Sequence, residues 1–203
     1  MTITEVAGSL PVDDLSVDDL SVDDLSVDGA TLWLTGLPSS GKSTLAGALA
    51  AQLRSSGRRV EVLDGDEVRR HLSAGLGFDR ADRDTHVRRI GFVAELLARN
   101  GVVVVVPVIA PYASTRQEVR DLHQAAGTTY LEVHVSTSLD ICAERDVKGL
   151  YAKALRGELQ QLTGVDDPYE VPVTPDLRID TAAVDVDTAV RDLLHLLDKK
   201  GEG

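Results

Sequence analysis

The sequence predicts an α/β fold, a parallel sheet with helices on both faces. Three observations predict it. From Thr31 onward, short β-rich apolar runs alternate with stretches whose apolar residues recur at helical spacing. A complete G-x-x-x-x-G-K-S sequence, Gly36 to Ser43, sits between the first apolar run and the first helical pattern. Polar clusters follow the later runs, and in open α/β sheets ligands bind outside the carboxyl ends of the strands.

Taken in order, the expected strands are 31–35, 59–63, 102–109, 130–135 and 177–180. After the first, Leu45, Ala46, Leu49, Ala50 and Leu53 mark a helix. Arg59 to Leu63 leads into Asp64-Gly65-Asp66. A second long helix is expected over 82–98, with Val87, Ile90, Val93, Ala94 and Leu97 on its apolar face and Asn100-Gly101 as its stop. Pro107 forfeits a ladder donor, so pairing should end near Val106 or the proline should sit where no partner is needed. Val186, Ala189, Val190, Leu193, Leu194 and Leu197 define a final amphipathic helix, with Asp187 near its start and Lys199-Lys200 at its end.

At 203 residues the chain is long enough for one substantial core and needs no second domain. Its charge is uneven. Glu5 and seven Asp before residue 30, with no Lys or Arg among them, account for −8 of the net −12 and leave −4 for the rest. A mildly acidic body gives a nucleic-acid partner no electrostatic support. Val-Asp-Asp-Leu-Ser repeats from Val12 with a period of five, which keeps no helical face apolar. Residues 1–29 therefore read as a disordered acidic repeat arm and 30–203 as the folded domain. A solvated tail is favoured for the arm over a docking segment or an electrostatic guard over a basic site. A lone Cys142 suits a reducing cytosol and reads as a buried apolar residue. The longest apolar run, 102–109, is too short to span a bilayer, and the first residues do not read as a secretory leader. The expectation is a cytoplasmic protein with no membrane partner.

The stretch Gly36, Leu37, Pro38, Ser39, Ser40, Gly41, Lys42, Ser43, Thr44 is a phosphate loop, a P-loop in an NTPase-like setting. Gly36 and Gly41 let the backbone turn tightly, so that successive N–H groups aim at a β-phosphate from a helix N-terminus. Lys42 would reach the β/γ oxygens of ATP, and the Ser43 hydroxyl would bind Mg²⁺. Asp64 and Asp66 follow the second strand and can serve as metal ligand, water-mediated partner or base toward an acceptor hydroxyl. Arg69, Arg70, Arg80, Arg83, Arg88 and Arg89 crowd the next interval, where guanidinium forks could clamp an anionic acceptor. Arg145, Lys148 and Lys153 form a second basic cluster, placed where a small kinase commonly carries a closing lid.

These pieces together resemble adenylylsulfate kinases. The likeness rests on Gly36–Thr44, Asp64-Gly-Asp-x-Val-Arg69, Leu76-Gly-Phe78-x-x-x-Asp82-Arg83, Val87-Arg-Arg-Ile-Gly91, Ile109-x-Pro111-Tyr112, Lys148-Gly-Leu-Tyr151 and Leu162-Thr-Gly-Val-Asp-Asp-Pro-Tyr169, in register from about residue 30 to 180. It implies a nucleotide-kinase type of P-loop domain with a lid, over 30–203. The reaction implied is transfer of the ATP γ-phosphoryl group to the 3′-hydroxyl of adenosine 5′-phosphosulfate in sulfate assimilation. Carried over, Lys42, Asp64, Asp66 and Lys148 are catalytic, and Ser43, Asp64 and Asp66 attend the metal. Arg69, Phe78, Arg83, Arg88, Ile109 and Leu162 would bind the acceptor, Phe78 by stacking on its adenine. Residues 171–175 would lie near the ATP base. A homodimer is left open.

Departures from the family pattern gather on the acceptor side. Glu67 and His86 stand where the family has Asn, and Ala110 replaces a serine that is phosphorylated in some members. Ala113 replaces a cation, and Leu162 replaces a second aromatic ring. Two other readings therefore stand beside the first: a kinase of the same fold with a different hydroxyl or nucleotide acceptor, and a nucleotide-binding regulator without turnover.

Overall fold

The computed structural model describes residues 29–201, so the expectation of an acidic disordered arm falls outside it except at Gly29. Strand β1 (Ala30–Thr35) is buried along its whole length, and its alternation defines the layers. Leu32 and Leu34 face one core cluster, and Trp33 faces the other. The chain continues through α1 (Lys42–Ser55), β2 (Val60–Val62), α2 (Gly65–Leu72), α3 (Arg80–Ala98), β3 (Val103–Pro107), α4 (Ala113–Ala125) and β4 (Thr129–Val135). It closes with α5 (Leu139–Arg145), α6 (Leu150–Leu155), β5 (Leu177–Ile179) and α7 (Val186–Gly201).

All five strands are parallel, in the order β2-β3-β1-β4-β5. Every expected strand forms, most of them a residue or more shorter than read. Val103 and Val105 of β3 join Leu32, Leu34, Leu131 and Val133 beneath α1 and α7, while Val104 and Val106 join Trp33 beneath α3 and α4. A sheet covered on both faces explains why β1 and β3 read as continuous apolar runs rather than alternating ones.

Two local features match the chemistry of their residues. Pro107 is the last residue of β3. Val103 N–H donates toward β2 at Arg59 O, and Val108 N–H donates toward β1 at Leu34 O. By alternation the missing donor of Pro107 would point at β2, which has already ended at Val62. Helix α3 starts two residues before the expected Asp82, because the Asp79 carboxylate accepts the Asp82 N–H at 2.8 Å and caps it. The helix stops as expected, with Gly101 at φ 72°. Cys142 is fully buried. Among the described residues no helix is long and apolar enough to cross a membrane.

Candidate active site

The phosphate loop leaves β1 at Gly36, where any Cβ would come within 2.5 Å of the Val135 carbonyl. It enters α1 through Gly41 at φ 97°, a left-handed conformation open to glycine. Thr181 Oγ1, just after β5, donates to the Ser40 carbonyl at 2.9 Å and braces the loop from the side. The buried Lys42 ammonium donates to the carbonyls of Gly36 at 3.0 Å and Leu37 at 2.6 Å. Burial is the main cause pushing its pKa down to about 8.

Ser43 meets Asp64 across the carboxyl ends of β1 and β2, its Oγ donating to Asp64 Oδ2 at 2.8 Å. Asp64 also caps α2, accepting the Asp66 N–H at 3.0 Å. Asp66 pairs with Lys148, which lies on the link between α5 and α6. Asp146 shapes that link: its two carboxylate oxygens accept the N–H groups of Tyr151 at 3.0 Å and Ala152 at 2.9 Å, fixing the start of α6. Tyr151 Oη then donates to the Pro38 carbonyl at 3.1 Å and ties this lid to the phosphate loop.

Most of the residues expected on the acceptor side line the same cavity, whose volume is about 800 Å³. Arg69, Phe78, Arg83, Ile109 and Leu162 line it together with Pro38 to Thr44, Asp64, Asp66 and Lys148. Phe78 is 56 % exposed, a ring face left open beside cations, with the Arg69 guanidinium 4.6 Å from its centroid. Arg83 is buried and fully engaged. Its Nε donates to the Phe78 carbonyl at 2.6 Å, Nη1 donates to Thr163 Oγ1 at 2.9 Å, and Nη2 donates to the Gln161 carbonyl. Leu162 is buried beside Cys142 and Tyr151, presenting an aliphatic edge to the cavity. His86 bridges two helices, with Nε2 on the Gly65 carbonyl and Nδ1 on Ser73 Oγ, both at 3.0 Å. Since Gly65 O can only accept, Nε2 carries the proton and Nδ1 accepts from Ser73. Burial, then the Arg69 cation, hold the His86 pKa at about 4.

Three expectations about position need correcting. Arg88 does not line the cavity: it points outward from α3 and pairs with Glu118 of α4 at 2.5 Å. Residues 171–175 do not line it either, because the Arg178 guanidinium holds the carbonyls of Pro172 and Val173 at 2.6 and 3.2 Å. Thr181, Val184, Asp185 and Val186 form the wall beyond the phosphate loop instead. Gly36 and Leu37 stand behind the wall, Leu37 packing with the lid cluster, and contribute carbonyls to Lys42. Sequence reading passed over Thr181, although its place after the fifth strand is a site-forming position. It also passed over Arg116, whose Nε meets Glu132 at 2.8 Å and whose Nη1 holds the Ala110 carbonyl at 2.7 Å.

Comparison with known proteins shows the family. The family model described as adenylylsulphate kinase matches residues 28–180. A probable adenylyl-sulfate kinase of Synechocystis is 55 % identical over 162 residues, 80 % of this chain and 89 % of that protein. The adenylyl-sulfate kinase of Chloroflexus aurantiacus is 54 % identical over 84 % of this chain and 90 % of its own. Among solved structures, the APS kinase CysC of Mycobacterium tuberculosis, in complex with AMPPNP and APS, superposes with a TM-score of 0.82. That match has 44 % identity and covers 84 % of this chain and 98 % of the other.

Proposed function

The chain belongs to the adenylylsulphate kinase family, and from that premise we propose that it phosphorylates the 3′-hydroxyl of adenosine 5′-phosphosulfate with ATP. The observation that carries this reading is one cavity lined both by the phosphate loop and by Phe78, Arg69 and Arg83. A γ-phosphoryl group and an acceptor hydroxyl held in it would meet beside Asp66 and Lys148.

Transfer breaks the bond between the γ-phosphorus and the β–γ bridging oxygen and forms one to the acceptor oxygen. The 3′-hydroxyl proton passes to the Asp66 carboxylate, a base that Lys148 holds in place across the cavity. Lys42 and Lys148 place positive charge against the oxygens where negative charge gathers in the transition state. Loop N–H groups at the start of α1 hold the β-phosphate. Phe78 supplies a stacking face for the acceptor adenine, and Arg69 supplies cationic donors beside it.

Mg²⁺ fits the donors present. Ser43 Oγ and Asp64 Oδ2, 2.8 Å apart, offer two hard oxygens at one point, with Asp66 close by. Among the described residues no group of three or more His, Cys, Asp or Glu is placed to hold a metal, so nucleotide phosphate oxygens and water would complete the shell. When bound there, the ion neutralises charge on the β- and γ-phosphates. Ala110 is buried at the cavity wall where a serine would have offered a hydroxyl, which supports transfer in one step without a phosphorylated enzyme. The test is ADP release with ATP·Mg and a panel of hydroxyl acceptors. Adenosine 5′-phosphosulfate should be the best of them; a faster reaction with another hydroxyl compound would assign a different specificity to the same kinase.

A further inference from the structure

An apolar strip lies on the outer face of α3 and α4, away from the cavity. Phe92 is 56 % exposed, Leu96 38 % and Leu122 37 %. The pairing of the two helices puts them side by side: Thr115 meets Asp84, Glu118 meets Arg88, and Val119 fills the space above Gly91. That parallel register brings Leu122 next to Phe92, with Leu96 one turn further along α3.

The chain that precedes β1 leaves the fold at the end of this strip. Gly29 lies against the Ala98 carbonyl, at the last turn of α3, so closely that a Cβ there would fall 1.9 Å from it. Leu96 is two residues from that point, ~3 Å along the helix axis, and Phe92 is ~9 Å away. Cations surround the exit. The half-exposed Arg99 pairs, among the described residues, with the buried Glu95 at 3.8 Å, and Arg59 donates to the Asn100 carbonyl at 2.9 Å. Residues 1–28 carry eight carboxylates and no Lys or Arg, with Leu15, Leu20 and Leu25 spaced five apart among them. Leu25 is four residues from Gly29 and can reach ~14 Å, and Leu20 ~30 Å, at the full extension of the chain.

We propose that the acidic repeat segment 12–28 docks on this strip of its own molecule, its leucines covering Leu96, Phe92 and Leu122 and its aspartates facing Arg99 and Arg59. Nearness favours this seat over the cavity mouth, which opens at the carboxyl ends of the strands, ~20 Å away through the sheet. Because several equivalent repeat units lie within reach, occupancy rises without any one unit binding tightly.

The test uses the full chain with Ser21→Cys carrying a nitroxide; Cys142 is buried and does not compete for the label. Amide signals of Phe92, Leu96 and Leu122 should lose most of their intensity, and should recover in high salt or with Leu20→Asp and Leu25→Asp. Both substitutions fall among residues 1–28, and the remaining amide signals of residues 30–199 should keep their positions. Broadening centred on Lys42 and Lys148, or spread evenly, overturns the proposal. So does broadening that appears only between molecules, when labelled chains are mixed with unlabelled isotopically enriched ones, since a second copy would then cover the strip.

Discussion

Lys42 donates to the Leu37 carbonyl at 2.6 Å, so the ammonium proposed to meet the phosphates is anchored on the backbone of its own loop. Its position is set before any nucleotide arrives, and its charge is held back by burial, with a pKa of about 8. Phosphate oxygens favour the charged form and raise that value on binding. ATP binding should therefore take up a proton above pH 8, and affinity should fall as pH rises through that range; calorimetry in buffers of different ionisation heat measures the uptake. Lys42→Ala should lower kcat by roughly a hundredfold or more. Its circular dichroism should stay native, and near wild-type turnover would sink the assignment.

Ala110 leads to a prediction about route. It is buried, and its backbone at φ 42° is a conformation that few side chains adopt readily. With no hydroxyl at position 110, incubation with γ-labelled ATP in the absence of acceptor should leave the protein unlabelled. Label that survives denaturation and chases into product would contradict direct transfer.

Phe78 contributes an exposed face and little to the core, so its removal separates binding from folding. Phe78→Ala should raise the KM for adenosine 5′-phosphosulfate roughly tenfold, the loss of about one aromatic contact. ATP affinity and Tm should hardly change, because the Phe78 carbonyl that accepts Arg83 remains. An equal loss in ATP affinity would place the ring on the nucleotide instead.

His86 makes stability depend on pH. Its folded pKa of about 4 lies below the ordinary 6.5, so between these values the unfolded chain binds more protons than the folded one. Stability is then fully present above pH 6.5 and declines as pH falls toward 4, at up to about 1.4 kcal/mol per pH unit from this group. His134, also near 4 from burial and the Arg178 cation, adds to the same window. His86→Asn should flatten the Tm profile between pH 6.5 and 4 while leaving the His134 share; an unchanged slope would remove His86 as a cause.

Much of this was legible because two kinds of signal survive folding unchanged. Continuous Val and Leu runs mark strands buried on both faces, and the phosphate loop needs only local backbone geometry, so β1, β3 and Gly36 to Thr44 lie where the sequence puts them. Side-chain direction around a helix is less visible when arginines are read as a cluster. Arg83 and Arg88 are five residues apart, which is about 140° around α3. One turns into the cavity beside His86 and Val87, and the other turns out to Glu118. Residues 171–175 were misplaced for another reason. Their position depends on Arg178 holding the carbonyls of Pro172 and Val173, and no local pattern announces that contact.

Arg83 holds the Phe78 carbonyl on one side and Gln161 and Thr163 on the other, joining segments some eighty positions apart in sequence. Two loops that would otherwise be ordered separately by an arriving ligand become one rigid jaw when the chain folds. The loss of conformational freedom is then charged to folding, and an acceptor meets a surface whose shape is already settled. A lysine at this position would keep the charge and release the jaw, so the fork shape of the guanidinium, more than its sign, is what joins the two segments.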